Sequence, residues 1–479
     1  MSDLVVRGVE LMGRGHVSEA IACFEQQLAE APAHIGALNN LANAYAATGR
    51  IDQALAIYDR LLPKLDRLFY YRIASNYLAW LQYQPSVSPE ALKNATCAIT
   101  ARYPAEEPVD FNHRPRSGRP LRVGLISADL CDHPVGMFLL PLLQNLDLTK
   151  IEPVLYSTGG RIDPTHDALR RAADRHEVGS LDYDALVVRL RNDQLDVIVD
   201  LSGHTGGHRL PALARRVAPI QMSWMGYSAT TGVSAIDYVM MDPLHAPPGT
   251  EAFFTETIVR MPHSRFCFRP ARFAPEVAPP PCLANGYVTF GSFNNTAKYN
   301  AALFDTWAAI LREVGNSRLI LKWWAYADAD YREATLRSFQ ERGIDRDRIE
   351  LREASVHRDL LGEYADIDIA LDPFPFSGGL TTCEALWQGV PVITLPSARP
   401  ISRQTLCFVS NLDHLEVKAT CVASSDDDYV RRATALAGGF EMLRYMREQM
   451  RSVAISSRLM DESGFARDFE EVVHLLAVR

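Results

Sequence analysis

A period of 34 residues within the first seventy positions constrains this chain most sharply. Gly15, Ala20 and Phe24 recur as Gly49, Ala54 and Tyr58, and Leu4, Gly8 and Leu11 fall likewise on Leu38, Ala42 and Tyr45. Small residues at helix contact points and aromatics at the knobs, at this period, are the signature of tetratricopeptide helix pairs. Agreement at six positions in one register sets aside a chance pair of amphipathic helices. About three repeats are normally needed for independent stability, so two repeats must lean on something else. The support is expected from the helical stretch Leu68 to Tyr103, where Arg72, Ser75 and Asn76 begin a third, degenerate unit. Pro104 to Pro120 then reads as a linker.

From Leu121 onward, short β-rich runs alternate with helical patterns, the order of parallel sheets flanked by helices. Strands are predicted at Leu121 to Ser127, Pro153 to Ser157, Leu195 to Leu201, Ile220 to Trp224 and Tyr238 to Met241. A second series is predicted at Tyr287 to Phe293, Arg318 to Lys322, Arg348 to Leu351, Ile367 to Leu371 and Val390 to Leu395. The Pro-rich stretch Pro270 to Pro281 lies between the two series. The expected organisation is therefore repeats at 1–67, a helical extension and linker at 68–117, and two α/β lobes at 118–275 and 276–479. Ligands of such open sheets bind at the carboxyl ends of the strands.

A chain of 479 residues with 47% hydrophobic content builds several globular units. Its net charge of −9 excludes an extended nucleic-acid surface, and Arg114 to Arg122 is too short and too rich in Pro and Gly to make one. Eight cysteines without CxxC spacing read as reduced thiols of a cytoplasmic protein. No apolar run reaches the length of a membrane span.

The segment DPFPFSGGLTTCEALWQGVP, Asp372 to Pro391, carries the most chemistry. It spells a strand end, a glycine turn at Gly378 and Gly379, and a helix start at Thr381 and Thr382. Hydroxyls and N–H groups at a helix N-terminus make an anion site, and Glu384 in the first turn is suited to accept bonds from a ribose. On these residues alone, a loop whose threonines merely cap a helix fits equally well. Lys298 follows another strand of the same lobe, where its charge can meet a departing diphosphate; alone, it reads as a solvated lysine. His133 follows Leu121 to Ser127 in the first lobe, as a base or as a loop histidine bonding backbone. The segment DLSGHTGGHR sets Asp200, His204, Thr205 and His208 at a further strand end. Gly206 and Gly207 oppose a helical pair of histidine ligands there, so sugar or acceptor contacts are expected rather than a metal. The pairs Asp328/Asp330 and Asp366/Asp368 match a metal-binding DxD spacing, but their settings read as structural.

Taken together, the segments LRVGLISADLCDHPVG, VDLSGHTGGHR, PIQMSWMGYSATTG, TFGSFNNTAK and ALDPFPFSGGLTTCEALWQGVPVITL, behind the repeats, resemble glycosyltransferase family 41, the O-GlcNAc transferase and SPINDLY-like proteins. The likeness runs over nearly the whole length. It implies a GT-B architecture, with two Rossmann-like lobes and the donor between them. It also implies transfer of a sugar from a nucleotide to Ser or Thr of proteins, with inversion and with neither cofactor nor metal. The resemblance further implies that His133 lies at the acceptor side as base or orienter. Asn295 and Lys298 would lie beside the donor diphosphate, Thr381 and Thr382 on its phosphates, Glu384 on the ribose, and Thr205 and Tyr227 in sugar-side or acceptor-side loops. A UDP-linked sugar, with UDP-GlcNAc as best guess, is the implied donor, and a flagellar or surface protein is the candidate acceptor.

The chain departs from the family at Leu380, where relatives place a histidine, and at a second histidine position before Ile367 to Leu371, to which His357 is near but out of register. These departures keep two further readings open. One is a tetratricopeptide scaffold with inactive lobes. The other is a transferase acting on a small molecule or glycan.

Overall fold

The computed structural model describes residues 3–105, 109, 111, 118–412 and 416–478. Much of the predicted linker therefore lies outside the described residues. The repeats form the helices α1 (Asp3–Gly13), α2 (Val17–Glu30), α3 (Ile35–Ala47) and α4 (Ile51–Leu61), and the degenerate unit forms α5 (Arg67–Leu81) and α6 (Pro89–Thr100). The repeating small residues are contact points: a Cβ on Gly8 would stand 2.3 Å from the Phe24 ring. Ala20, Ala42, Ala54, Phe24 and Tyr58 are buried.

The first lobe is a sheet of β1 (Leu121–Ser127), β2 (Ile151–Ser157), β3 (Asp174–Glu177), β4 (Val197–Asp200), β5 (Ile220–Ser223), β6 (Tyr238–Met241) and β7 (Thr257–Arg260). All its pairings are parallel, in the order β3-β2-β1-β4-β5-β6-β7, with Leu121 to Ser127 in register with Ile151 to Ser157. The second lobe holds β8 (Val288–Ser292), β9 (Ser317–Lys322), β10 (Ile349–Arg352), β11 (Ile369–Leu371) and β12 (Val392–Ile393), parallel in the order β10-β9-β8-β11-β12. Helices cover both faces, so central strands such as β4 and β11 are buried throughout, and apolar but for Asp200 at the end of β4. Strand order reverses between β1 and β4 in one sheet and between β8 and β11 in the other. A crevice opens at each such reversal, outside the carboxyl ends of the strands.

Two strands escaped the sequence reading, β3 and β7. Both lie at an edge of the first sheet, and β3, with the sequence DRHE, has no buried residue and no apolar run to betray it. The expected lobe boundary is also corrected at the C-terminus. The helix Glu462–Val478 leaves the second lobe and packs on the first, where Trp224 lies 5.4 Å from Phe469 between ring centroids and Lys150 Nζ meets Glu470 at 3.0 Å. Among the described residues, no helix is long and apolar enough to cross a membrane.

The repeats lean on both lobes. Gly15 and Gly49, equivalent by the 34-residue period, both have positive φ, and a Cβ on either would stand 2.6 Å from a carbonyl oxygen of the second lobe, Trp324 O and Tyr299 O respectively. Asp328 accepts from Ser18 N at 2.6 Å and Ser18 Oγ at 2.8 Å, and Thr296 Oγ1 donates to Ala47 O at 2.7 Å. The degenerate unit reaches the first lobe instead, through Ser75 Oγ and His204 Nδ1 at 2.8 Å and through Thr100 Oγ1 donating to Gly232 O at 2.6 Å.

This docking makes Gly49 harder to replace than a glycine of like backbone in open space. Gly286 has φ +72° and nothing within 4 Å of its added Cβ. Gly49→Ala is expected to cost about 3 kcal/mol in urea unfolding and Gly286→Ala about 1 kcal/mol. Equal losses would contradict the close approach at Tyr299.

Candidate active site

The loop after β11 is built around Asp372, a residue that sequence reasoning used only to end a strand. Its Oδ1 accepts from Gly378 N and its Oδ2 from Thr394 Oγ1, both at 2.6 Å. Burial raises its carboxyl pKa to about 6 against these bonds. Gly378 is compulsory here, because a Cβ would stand 2.3 Å from Thr382 Oγ1. Gly379 precedes the helix Leu380–Trp387 and has no side chain to cap it; its carbonyl accepts from Thr382 N at 3.0 Å and Cys383 N at 3.4 Å, so the N–H groups of Leu380 and Thr381 are left at the positive end of the helix dipole. Thr381 Oγ1 donates to Asn294 Oδ1 at 3.4 Å, and Thr382 Oγ1 pairs with Thr405 Oγ1 at 2.9 Å. Leu380 packs its side chain against the hydrophobic core.

Lys298 comes from the loop after β8, on the other side of the reversal. Its Nζ donates to Ser377 O at 2.9 Å and to Asn294 Oδ1 at 3.0 Å, and it lies 4.8 Å from the centroid of the Phe376 ring. Burial among these neutral groups lowers the ammonium pKa to about 8, with the Asp372 carboxylate opposing the shift. The two asparagines of this loop divide their bonds. Asn295 Oδ1 turns back to cap Ala297 N at 3.0 Å, and the neighbouring Asn294 meets both Lys298 and Thr381.

Glu384 lies one turn into the helix and is buried. Its Oε1 is 2.6 Å from His357 Nε2, so the histidine that the sequence left out of register belongs to this site. His357 sits edge-on to Phe273 with 5.4 Å between ring centroids. Its pKa is raised by the Glu384 hydrogen bond and, in smaller part, by the charge of Asp132 on the first lobe, so the loops of the two lobes face one another.

On the first lobe, His133 N-caps α7 (Pro134–Asn145), its Nδ1 accepting from Val135 N at 3.3 Å with Asp129 Oδ2 at 3.9 Å. Desolvation lowers its pKa, opposed by the charge of Asp129 and reinforced by that of Arg161. The other expected acceptor-side residues divide. Thr205 is half-buried in the loop after β4, with Oγ1 donating to Ser202 O at 2.9 Å. Asp200, His204 and Tyr227 are buried in the scaffold, which corrects the expectation that they meet ligand. Asp200 accepts from Gly203 N at 2.8 Å and Ser202 N at 3.2 Å. His204 uses both ring nitrogens, on Ser75 and on Thr231 O at 2.8 Å, and Tyr227 walls Gly203, where a Cβ would stand 2.3 Å from its own. His208 is buried beside them, and desolvation lowers its pKa to about 3.

Three of the four DxD carboxylates have partners within the fold. Asp328 caps the helix Ala329–Gln340, and Asp368 accepts from Thr289 N at 2.8 Å and Cys282 N at 3.0 Å. Asp366 pairs with Arg352 at 2.6 Å.

Comparison with known proteins bears on the family and the fold. The model of glycosyl transferase family 41 matches residues 93–274 and 281–469, and a tetratricopeptide repeat model matches residues 11–68. A probable UDP-N-acetylglucosamine–peptide N-acetylglucosaminyltransferase SPINDLY of Hordeum vulgare is 34% identical over 358 residues, which cover 74% of this chain and 38% of that protein. The like-named protein of Arabidopsis thaliana is 34% identical over 361 residues, covering 74% and 39%. The chain thus spans well under half the length of these curated relatives. Among solved structures, a mutant of the Thermobaculum terrenum O-GlcNAc transferase superposes with a TM-score of 0.89 at 31% identity, covering 99% of this chain and 91% of that one. The two facing parallel sheets are the GT-B architecture.

The Glu384–His357 pair has a measurable signature. A histidine raised in the folded state adds stability below its unfolded pKa, and that stability is lost as pH rises through the folded value. Ring NMR is expected to show His357 titrating above 6.5 in the wild type, and at or below it in Glu384→Gln. The wild type is expected to lose stability relative to that variant as pH rises through the raised pKa. A His357 titration unmoved by the substitution would rule out the pair.

Proposed function

The chain belongs to glycosyl transferase family 41, and on that premise we propose that it transfers a sugar from a UDP-linked donor to Ser or Thr hydroxyls of a protein acceptor. The observation that carries the reading is the buried Lys298 ammonium, held by neutral oxygens beside an uncapped helix N-terminus. A diphosphate seated there meets Lys298, the first-turn N–H groups and the Thr381 and Thr382 hydroxyls. As the glycosidic bond breaks, negative charge grows on the leaving phosphate, and these fixed donors stabilise it most at that moment. A cation and a helix dipole supply what a metal would, so the reaction is read as metal-independent. Glu384 is suited to accept from the ribose hydroxyls once it exchanges its bond to His357.

His133 in its neutral form, on the facing lobe, can accept or orient the proton of the acceptor hydroxyl, which attacks from the side opposite the leaving diphosphate and inverts the anomeric centre. GlcNAc is the sugar favoured by the names of the relatives, which are peptide N-acetylglucosaminyltransferases. Neither the fold nor the relatives points to a flagellar or surface acceptor.

Purified protein incubated with a panel of labelled nucleotide sugars and cell lysate is expected to give protein-bound label from a UDP-sugar. Lys298→Ala is expected to lower its rate by about 10²- to 10³-fold while leaving the fold intact. Undiminished labelling by that variant, or label confined to low-mass products, would refute the proposal.

A further inference from the structure

The carboxyl ends of β2 and β3 open onto a groove of about 790 Å³, within the range of ligand-binding clefts. Gly159 and Gly179 let its loops lie close on neighbouring backbone, since a Cβ would stand 2.2 Å from Ala128 O at the first and 2.9 Å from Thr158 O at the second. Its lining carries three guanidinium groups, Arg161, Arg170 and Arg175, against one carboxylate, Glu177. Arg175 is committed to Glu177 at 2.6 Å, with a side chain only 3% exposed. Arg161 faces Asp163 at 3.0 Å but stays 62% exposed. Arg170, on α8 (Pro164–Ala172), is exposed and has no ion-pair partner among the described residues. With Arg161 and Arg175 paired, the charge the groove leaves unpaired is the Arg170 guanidinium.

Hydrogen bonds tie the groove to the loops that hold His133 and Thr205. Arg161 Nη1 donates to Asp132 O at 3.2 Å, and Thr165 Oγ1 donates to Asp132 Oδ1 at 2.7 Å, one residue from His133. Thr158 Oγ1 donates to Gly207 O at 2.8 Å, tying the groove wall to the loop that holds Thr205. Ile162, 77% exposed, stands on the rim as an apolar contact.

We propose that this groove seats a short acidic segment of the acceptor polypeptide, so that Glu or Asp residues near the target hydroxyl are selected. The inference rests on the proposed protein acceptor and adds its charge preference. A long polyanion such as nucleic acid would meet the repulsion of the acidic surface beyond the groove, whereas a few carboxylates meet only its lining. Such a contact works through exposed charge, so it is sensitive to salt.

The test is direct binding, by fluorescence anisotropy and without donor, of three Ser-containing peptides that differ only in carrying Glu, Gln or Lys around the serine. The Glu peptide is expected to bind about five- to tenfold tighter than the Gln peptide at low salt, with the difference shrinking as salt is added. Arg170→Glu is expected to abolish that preference. Arg171→Glu, one residue along on the same helix but outside the groove lining, is expected to retain it. Equal binding of Glu and Gln peptides, or equal loss in both variants, would overturn the proposal. A retained preference in a protein that transfers no sugar would count against the proposed function alone.

Discussion

A buried cation among neutral oxygens organises this molecule. Lys298 is only 9% exposed, and its Nζ is bonded to an amide and a backbone carbonyl, with an aromatic face nearby. An ammonium in that setting is held at a cost in solvation, as its lowered pKa records. The surrounding loops supply further positive potential, from the helix N-terminus after Gly379, rather than a carboxylate in direct contact. Such an arrangement suits an anion, and it requires the loops after β8 and β11 to sit side by side. The reversal of strand order between those two strands provides that adjacency.

The helical repeats belong to the same construction. Two repeats and one degenerate unit are bracketed by the lobes, with the period glycines Gly15 and Gly49 pressed against the second lobe and Ser75 and Thr100 against the first. The turn after α5 closes the bracket at the active site. Arg399 donates to Gln82 O and Gln84 O, each at 3.1 Å, and Tyr83 lies 4.5 Å from Phe376, the ring that covers Lys298. The repeat region thus contributes one wall to the environment of the cation, beyond any recognition surface it offers.

Much of this was legible in the residues. Repeat period, strand positions and the phosphate-type loop all follow from local patterns: glycines where a side chain cannot fit, apolar runs where both faces are covered, threonines at a helix start. What was missed depends on tertiary contact. β3 is an edge strand without apolar residues, and the helix Glu462–Val478 has an ordinary amphipathic pattern that does not say which lobe it covers. His357 and Glu384 are 27 residues apart, and only the folded loop brings them to 2.6 Å. Asn294 and Asn295 are indistinguishable as types, and the backbone turn decides which faces Lys298. Asp200 and His204 carry polar groups that look available in sequence, yet they are bonded to the loop after β4, to Ser75 of the repeats and to Thr231 O.

The central claim is that Lys298 is a cation awaiting a diphosphate, and its own titration tests that most directly. With lysine side chains isotopically labelled, NMR of the Lys298 ε-group is expected to give a pKa near 8 in the free protein. Addition of UDP is expected to raise it by more than about one unit, as an opposite charge comes into contact. A Lys298 titration unchanged by saturating UDP, or already at the ordinary lysine value in the free protein, would contradict the account.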